Sequence, residues 1–277
     1  HPDVRTPAYD RLAAAGIRFA NAYTPDPICV PARATMITGR YPHKATGTKN
    51  NGGRIRDDQG KLPELLANAG YETFASGKLH YAPYSEPGEP RLTHGFRRWA
   101  SAESGRILKR DDPEGSHRGI EDYFDYLEDV GWRGYSRAHG IGNNDVHPAP
   151  NPLPEEHHVD AWVASRAVDF IDQHVKTSPD QPFFLNVGFP KPHSPFDPPY
   201  RYAASYDPRK LQPPARNLDE LPRSPGAAIS AIEHGQDLLS PETLQVIRSY
   251  YYGLISFQDE QTARILEALE RNGLTEN

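Results

Sequence analysis

Apolar residues recur along this chain in two rhythms, a helical one and an alternating or continuous one. Behind Thr6-Pro7, the positions Tyr9, Leu12, Ala13 and Ile17 keep helical spacing and predict a capped amphipathic helix ending near Gly16. Phe19 to Tyr23 reads as a short strand or extended segment, and helix resumes from about Pro31 to Thr38. A turn-rich loop with Asn50-Asn51-Gly52-Gly53 precedes a helix over Leu62 to Ala69, which Gly70 closes. Glu72 to Ser76 then reads as a strand that exits through Gly77-Lys78-Leu79-His80. A longer helix, His157 to Val175, carries Val159, Trp162, Val163, Ala167, Phe170 and Ile171 on one stripe and leads into the apolar strand Phe183 to Val187. That strand leaves through Gly188-Phe189-Pro190-Lys191-Pro192-His193, too proline-rich to continue a sheet. A proline-punctuated loop follows to about Pro225, and a final helix covers Pro241 to Arg271. Helix alternating with buried strand predicts an α/β fold, whose sites form in loops at strand ends.

Between Tyr84 and Pro154 the rhythm weakens into glycine, proline, charge and aromatic residues, and this span reads as an insertion beside the site. Its acidic patch, Glu121 to Asp129, lacks calcium-loop spacing and reads as a solvated helix face. His157-His158 likewise reads as a solvated helix start, since adjacent helical positions point apart. Gly140-Ile141-Gly142 lacks the third glycine and the strand context of a dinucleotide loop.

Composition narrows the function classes. The 277 residues are 36% hydrophobic, enough for a real core, and their 28 prolines imply long ordered loops. A net charge of −6 provides no global basic field for nucleic acid or an anionic membrane, so an anionic substrate must be drawn by a local cluster. The single cysteine excludes an internal disulfide, and no apolar run is long enough to span a membrane. The chain opens on His1 with no apolar leader and closes on a helix-cap signal, so the expectation is a piece of a longer protein; nothing in it marks a compartment.

The chemistry concentrates at Cys29-Val30-Pro31-Ala32-Arg33, followed by Thr38-Gly39-Arg40-Tyr41-Pro42-His43 and preceded by Asn21-Ala22-Tyr23-Thr24. A lone cysteine is ordinarily a small buried hydrophobe. The extended pattern instead resembles the signature of the type I sulfatases, in which a maturation enzyme oxidises that cysteine to formylglycine. The chemistry suits these residue types. The hydrated aldehyde offers one hydroxyl, acidified by a divalent cation, to attack the ester sulfur, and a second whose deprotonation expels sulfate. Pro31 suits a first helical turn, whose amides favour an anion, and Arg33 supplies a fixed positive fork.

The resemblance implies an alkaline-phosphatase-like α/β domain, a mixed sheet flanked by helices and incomplete at both ends, with residues 1–277 as its central part. It implies a sulfuric ester hydrolase acting on a small-molecule or saccharide sulfate. Lys78 and His80 would contact the nucleophile and the sulfate. His193, in Lys191-Pro192-His193-Ser194-Pro195-Phe196, would act on the substrate side, and Lys191 resembles a substrate-contacting lysine in some members. Cys29, as formylglycine, would be one metal ligand, the cation being calcium and the remaining ligands lying outside the chain. The segment alone would then be inactive. Two other readings stand beside this one: a phosphonate or phosphate monoester hydrolase sharing the signature, and a non-catalytic binding protein that retains the fold.

Overall fold

A computed structural model describes residues 2–47, 50–81, 91–104, 118–212 and 238–276. Residues 84–90 and 105–117 of the expected insertion, and 213–225 of the expected loop, lie outside them. The helical stripes fold where the periodicity places them. In chain order they give α1 (Pro7–Ala15), α2 (Cys29–Thr38), the single turn α3 (Pro42–Ala45), α4 (Leu62–Asn68), α5 (Asp122–Asp129), α6 (Val159–Thr177), the short α7 (Tyr200–Ala203) and α8 (Pro241–Arg271). Phe19 to Tyr23 forms no regular strand; Phe19 is 75% and Tyr23 91% exposed, because no neighbouring strand among the described residues pairs with the segment.

The chain divides into two units, each assembled from separated segments. One comprises residues 13–130, 162–190 and 264–277. Among the described residues its sheet has three strands, β1 (Glu72–Gly77), β2 (Arg98–Ser101) and β3 (Phe183–Gly188), in the order β2-β1-β3, all parallel. Side chains alternate across β1 and β3. Phe74, Phe183, Leu185 and Val187 join Ala164, Ala167, Phe170 and Ile171 of α6 and Ile265 and Ala268 of α8 in one cluster. Ala75 and Phe184 meet the opposite cluster, with Ala34 and Ile37 of α2, Leu79, Tyr81, Phe96 and Trp99. Each large side chain fully buried there contributes about 1.5–3 kcal/mol. Helices on both faces of a parallel sheet explain why the strands read as apolar runs.

Strand β2 has no counterpart in the sequence reading, which left its span as an insertion. It is four residues long, and its exposed Arg98 lays its guanidinium over the rings of Phe74, at 5.5 Å, and Phe170, at 5.0 Å. A charged residue covering aromatic surface hides the strand's hydrophobic pattern.

The other unit comprises residues 1–12, 131–161 and 191–263. Ala161, Tyr202 and Phe257 pack together, as do Tyr206, Leu211 and Tyr252 with Val4, Tyr251 and Ile255 around them. The buried Asp259 accepts the amides of Ala8 at 3.0 Å and Tyr9 at 2.8 Å, satisfying free donors in the first turn of α1.

Candidate active site

Helix α2 begins at Cys29, after Ile28 in extended geometry, and its first turn carries no acidic residue. Cys29 is half-buried, a reachable side chain at a helix start. The Val30 amide donates to Asn51 Oδ1 at 3.1 Å, so the asparagine-glycine loop caps the turn that was expected to keep its amides for an anion. Arg33 stands one turn after Cys29 and therefore on the same helical face. Its Nη1 donates to the carbonyls of Lys78 and Leu79, each at 3.3 Å, tying the cysteine's helix to the exit of β1.

That exit is unusually close-packed. The Lys78 amide donates to Gly188 O at 2.6 Å, and Trp99 Nε1 donates to Gly77 O at 2.8 Å. Gly77 has a φ of +91°, and a Cβ there would stand 2.2 Å from Gly188 O; a Cβ on Gly188 would stand 2.1 Å from Lys78 O. Glycine at both strand ends lets Lys78 leave the sheet in contact with its neighbour. Lys78 and His80 are both buried, and His80 holds a φ of +53°, the left-handed region that a side chain disfavours. Glu103 Oε1 accepts the Leu79 amide at 2.7 Å and the His80 amide at 2.8 Å. The Glu103 amide in turn donates to Glu121 Oε1 at 2.7 Å, and both glutamates are fully buried. Burial pushes the nearby Tyr81 hydroxyl up to about 12, against the lowering charge of Arg33.

The structure thus joins Arg33, on the helix of Cys29, to the Lys78–His80 turn. It also corrects the reading of Glu121 as a solvated residue. Neither Glu103 nor Glu121 was legible as part of a site: each acts through its carboxylate on backbone amides brought near by β2, which the pattern did not reveal.

His193 and Lys191 belong to the other unit. There the Lys191 ammonium donates to Pro195 O at 2.8 Å and His193 O at 3.5 Å and forms a short ion pair with Asp197. Asp197 also accepts Asn151 Nδ2 at 2.9 Å and His139 Nε2 at 3.2 Å. Burial raises the Asp197 carboxyl, but Lys191 and His139 outweigh it and hold it below its ordinary value. The lysine expected at a substrate is therefore bonded within its own loop. His193 Nδ1 lies 2.8 Å from Ser194 O. A carbonyl only accepts, so the neutral ring carries its proton on Nδ1 and Nε2 is the basic nitrogen.

His158, expected in solvent, is fully buried with its ring centroid 4.8 Å from that of Phe257 in a T-shaped contact, because a histidine at the α6 start faces α8. Its Nδ1 accepts the Asp160 amide at 3.1 Å, and burial pushes it down to about 4. Burial pushes the Asp160 carboxyl up to about 7, although the Lys191 charge opposes this.

Among the described residues, no group of three or more His, Cys, Asp or Glu side chains is arranged to hold a metal ion. A hard dication takes six or more oxygen ligands, and these donors do not provide that set.

The family model "Sulfatase" matches residues 1–277. An arylsulfatase of Clostridium perfringens (strain 13 / Type A) is 29% identical over 288 residues, covering 99% of this chain and 56% of that protein. A sulfatase of Formosa agariphila is 29% identical over 303 residues, covering 99% of this chain and 52% of that protein. The chain thus spans about half the length of the curated relatives it matches. Among solved structures, the phosphonate monoester hydrolase of Agrobacterium radiobacter superposes with a TM-score of 0.74 at 23% identity, covering 99% of this chain and 56% of that one. These likenesses establish the alkaline-phosphatase-like α/β fold, a parallel sheet flanked by helices.

Proposed function

The chain belongs to the sulfatase family, and on that premise we propose that the protein hydrolyses a sulfate monoester with Cys29 as the source of its nucleophile. The observation that carries this reading is the Cys29 helix bonded through Arg33 to the Lys78–Leu79 backbone at the end of β1. Formylglycine at position 29 would supply a hydrated aldehyde, a nucleophile whose second hydroxyl releases sulfate without attack by water.

The remaining work falls to side chains of this chain. Arg33 engages two carbonyls through Nη1, which leaves Nε and Nη2 as donors toward an anion. The Lys78 ammonium offsets charge on the sulfate oxygens, and His80 hydrogen-bonds the nucleophile. His193 acts on the leaving oxygen: with Nδ1–H fixed on Ser194 O, the ring takes up a second proton at Nε2, and it is this Nε2–H proton of the imidazolium that passes to the departing alcohol, returning the ring to its neutral Nδ1–H form. Lys191 is assigned to holding the His193 loop through Asp197. A divalent cation, calcium by the family resemblance, and a maturation enzyme acting on Cys29 remain part of the proposal. The cation's carboxylate ligands would come from beyond the residues described.

The test uses the full-length protein produced with the maturation enzyme. Peptide mass spectrometry and aldehyde labelling are expected to find an aldehyde at position 29; an alkylatable thiol in fully active enzyme sinks the mechanism. Because the structure superposed above is a phosphonate monoester hydrolase, kcat/KM is measured on matched aryl sulfate, phosphate and phosphonate esters. A phosphorus ester preferred by more than about tenfold, roughly 1.4 kcal/mol in transition-state stabilisation, overturns the assignment.

A further inference from the structure

We propose that Glu103 is the positioning residue that sets the left-handed turn at His80, and so the directions of Lys78 and His80 in the site. This rests on the function proposed above for those two residues. The register of the sheet explains the meeting. Gly77 pairs with Ser101 at the end of the β1–β2 ladder, and the Ala102 amide continues it to Gly77 O at 3.3 Å. Two residues further on, Leu79 and Glu103 come alongside each other. One oxygen of a fully buried carboxylate then takes two successive amides, at 2.7 and 2.8 Å. Such charge-assisted bonds are shorter and stronger than neutral ones.

The two amides are those of Leu79 and His80 itself, the residue whose φ of +53° would otherwise relax. A side chain persists in this region only when its surroundings over-determine it. Here they do so from both sides: Arg33 binds the carbonyls of Lys78 and Leu79, and Glu103 binds the amides of Leu79 and His80. A cation on the acceptors and an anion on the donors leave the turn little freedom to rotate. Glu103 is anchored in turn, since its own amide donates to the buried Glu121 carboxylate at 2.7 Å. Neither carboxylate needs to touch the ester to have this effect.

The experiment compares Glu103→Asp and Glu103→Gln in the full-length, matured protein. Aspartate keeps the charge but withdraws the oxygen by one methylene, whereas glutamine keeps an acceptor at the same reach. If Glu103 positions the turn, Glu103→Asp lowers kcat at least tenfold with KM changed less than threefold, aldehyde content and melting temperature staying near wild type. Glu103→Gln then recovers at least fivefold of that loss. An aspartate variant with wild-type kcat, or a loss in both variants that follows melting temperature, overturns the proposal. Assaying every variant on whichever ester the wild type prefers keeps this outcome separate from the choice between sulfate and phosphorus esters. A crystal structure of Glu103→Asp gives a readout independent of activity. His80 is expected to leave the left-handed region, and its retention there would refute the role even if the wild type cleaves none of the esters.

Discussion

At the residue scale, the ion pair of Lys191 and Asp197 gives the lysine a partner within its own loop. Both side chains are nearly inaccessible, at 9% and 4% exposure, so neither loses much of its partner's attraction to solvent screening. Removing one member of such a pair leaves a charge in low dielectric and typically costs about 3–5 kcal/mol, whereas removing both costs far less. Lys191→Met is therefore expected to destabilise the full-length protein by several kcal/mol, and adding Asp197→Asn should restore more than half of the loss. Denaturant unfolding of the two single variants and the double variant measures the coupling. A Lys191→Met protein of normal stability but raised KM would instead return Lys191 to the substrate.

At the element scale, the start of α6 sets two effects against each other. A carboxylate in a first helical turn is normally favoured by the helix dipole, by roughly 0.3–1 kcal/mol. Asp160 occupies that turn but is fully buried, and burial prevails, pushing it up to about 7 despite the Lys191 charge. Because the folded value lies above the unfolded one, the folded state binds the extra proton between the two. Its stabilising effect is fully present below the ordinary value near 3.8 and is lost as pH rises through about 7. His158 works in the opposite sense: lowered to about 4, it stays neutral when folded and costs stability as pH falls below its ordinary 6.5. The comparison with Asp160→Asn isolates the aspartate. Relative to that variant, wild type is expected to lose stability as pH rises from about 4 to 7, by at most roughly 1.4 kcal/mol per pH unit. Parallel stability curves for the two proteins across that range would show that Asp160 stays ionised.

At the scale of the whole molecule, charge and ligand supply decide what residues 1–277 do when expressed by themselves. Arg33, Lys78, His80 and His193 are all basic, and no metal-holding group of acids, histidines and cysteine occurs among the described residues. Calorimetric titration of this segment with calcium is expected to show no submillimolar binding, and aryl sulfate turnover should be absent even with Cys29 modified. Ile17, Phe19 and Tyr23, 82%, 75% and 91% exposed, should also favour self-association, which light scattering would report. Submillimolar calcium affinity with strong activity would mean that the ligands had been misplaced, and the acidic residues from Glu121 to Asp129 would be examined first. Among the described residues, no helix is long and apolar enough to cross a membrane.

What the sequence determined by itself is local. Helical stripes placed α1, α2, α6 and α8, apolar runs placed β1 and β3, and the order of residues around Cys29 and Arg33 identified the family. Each of these signals is carried by residues a few positions apart, where spacing alone distinguishes one periodicity from another. Tertiary structure decided what depends on partners distant in sequence. Four-residue β2 became a strand by pairing with β1 residues 24 positions earlier, with Arg98 concealing its apolar face. Glu121 and His158, which look like solvent-facing helix starts, were buried by what packs over them. Lys191 turned inward because Asp197 and two carbonyls of its own loop bind its ammonium, and Glu103 acquired its contacts only when the β1–β2 register carried its carboxylate to the Leu79 and His80 amides. Burial and register are sums over the whole chain, and a charged residue carries no local sign of which way it will face.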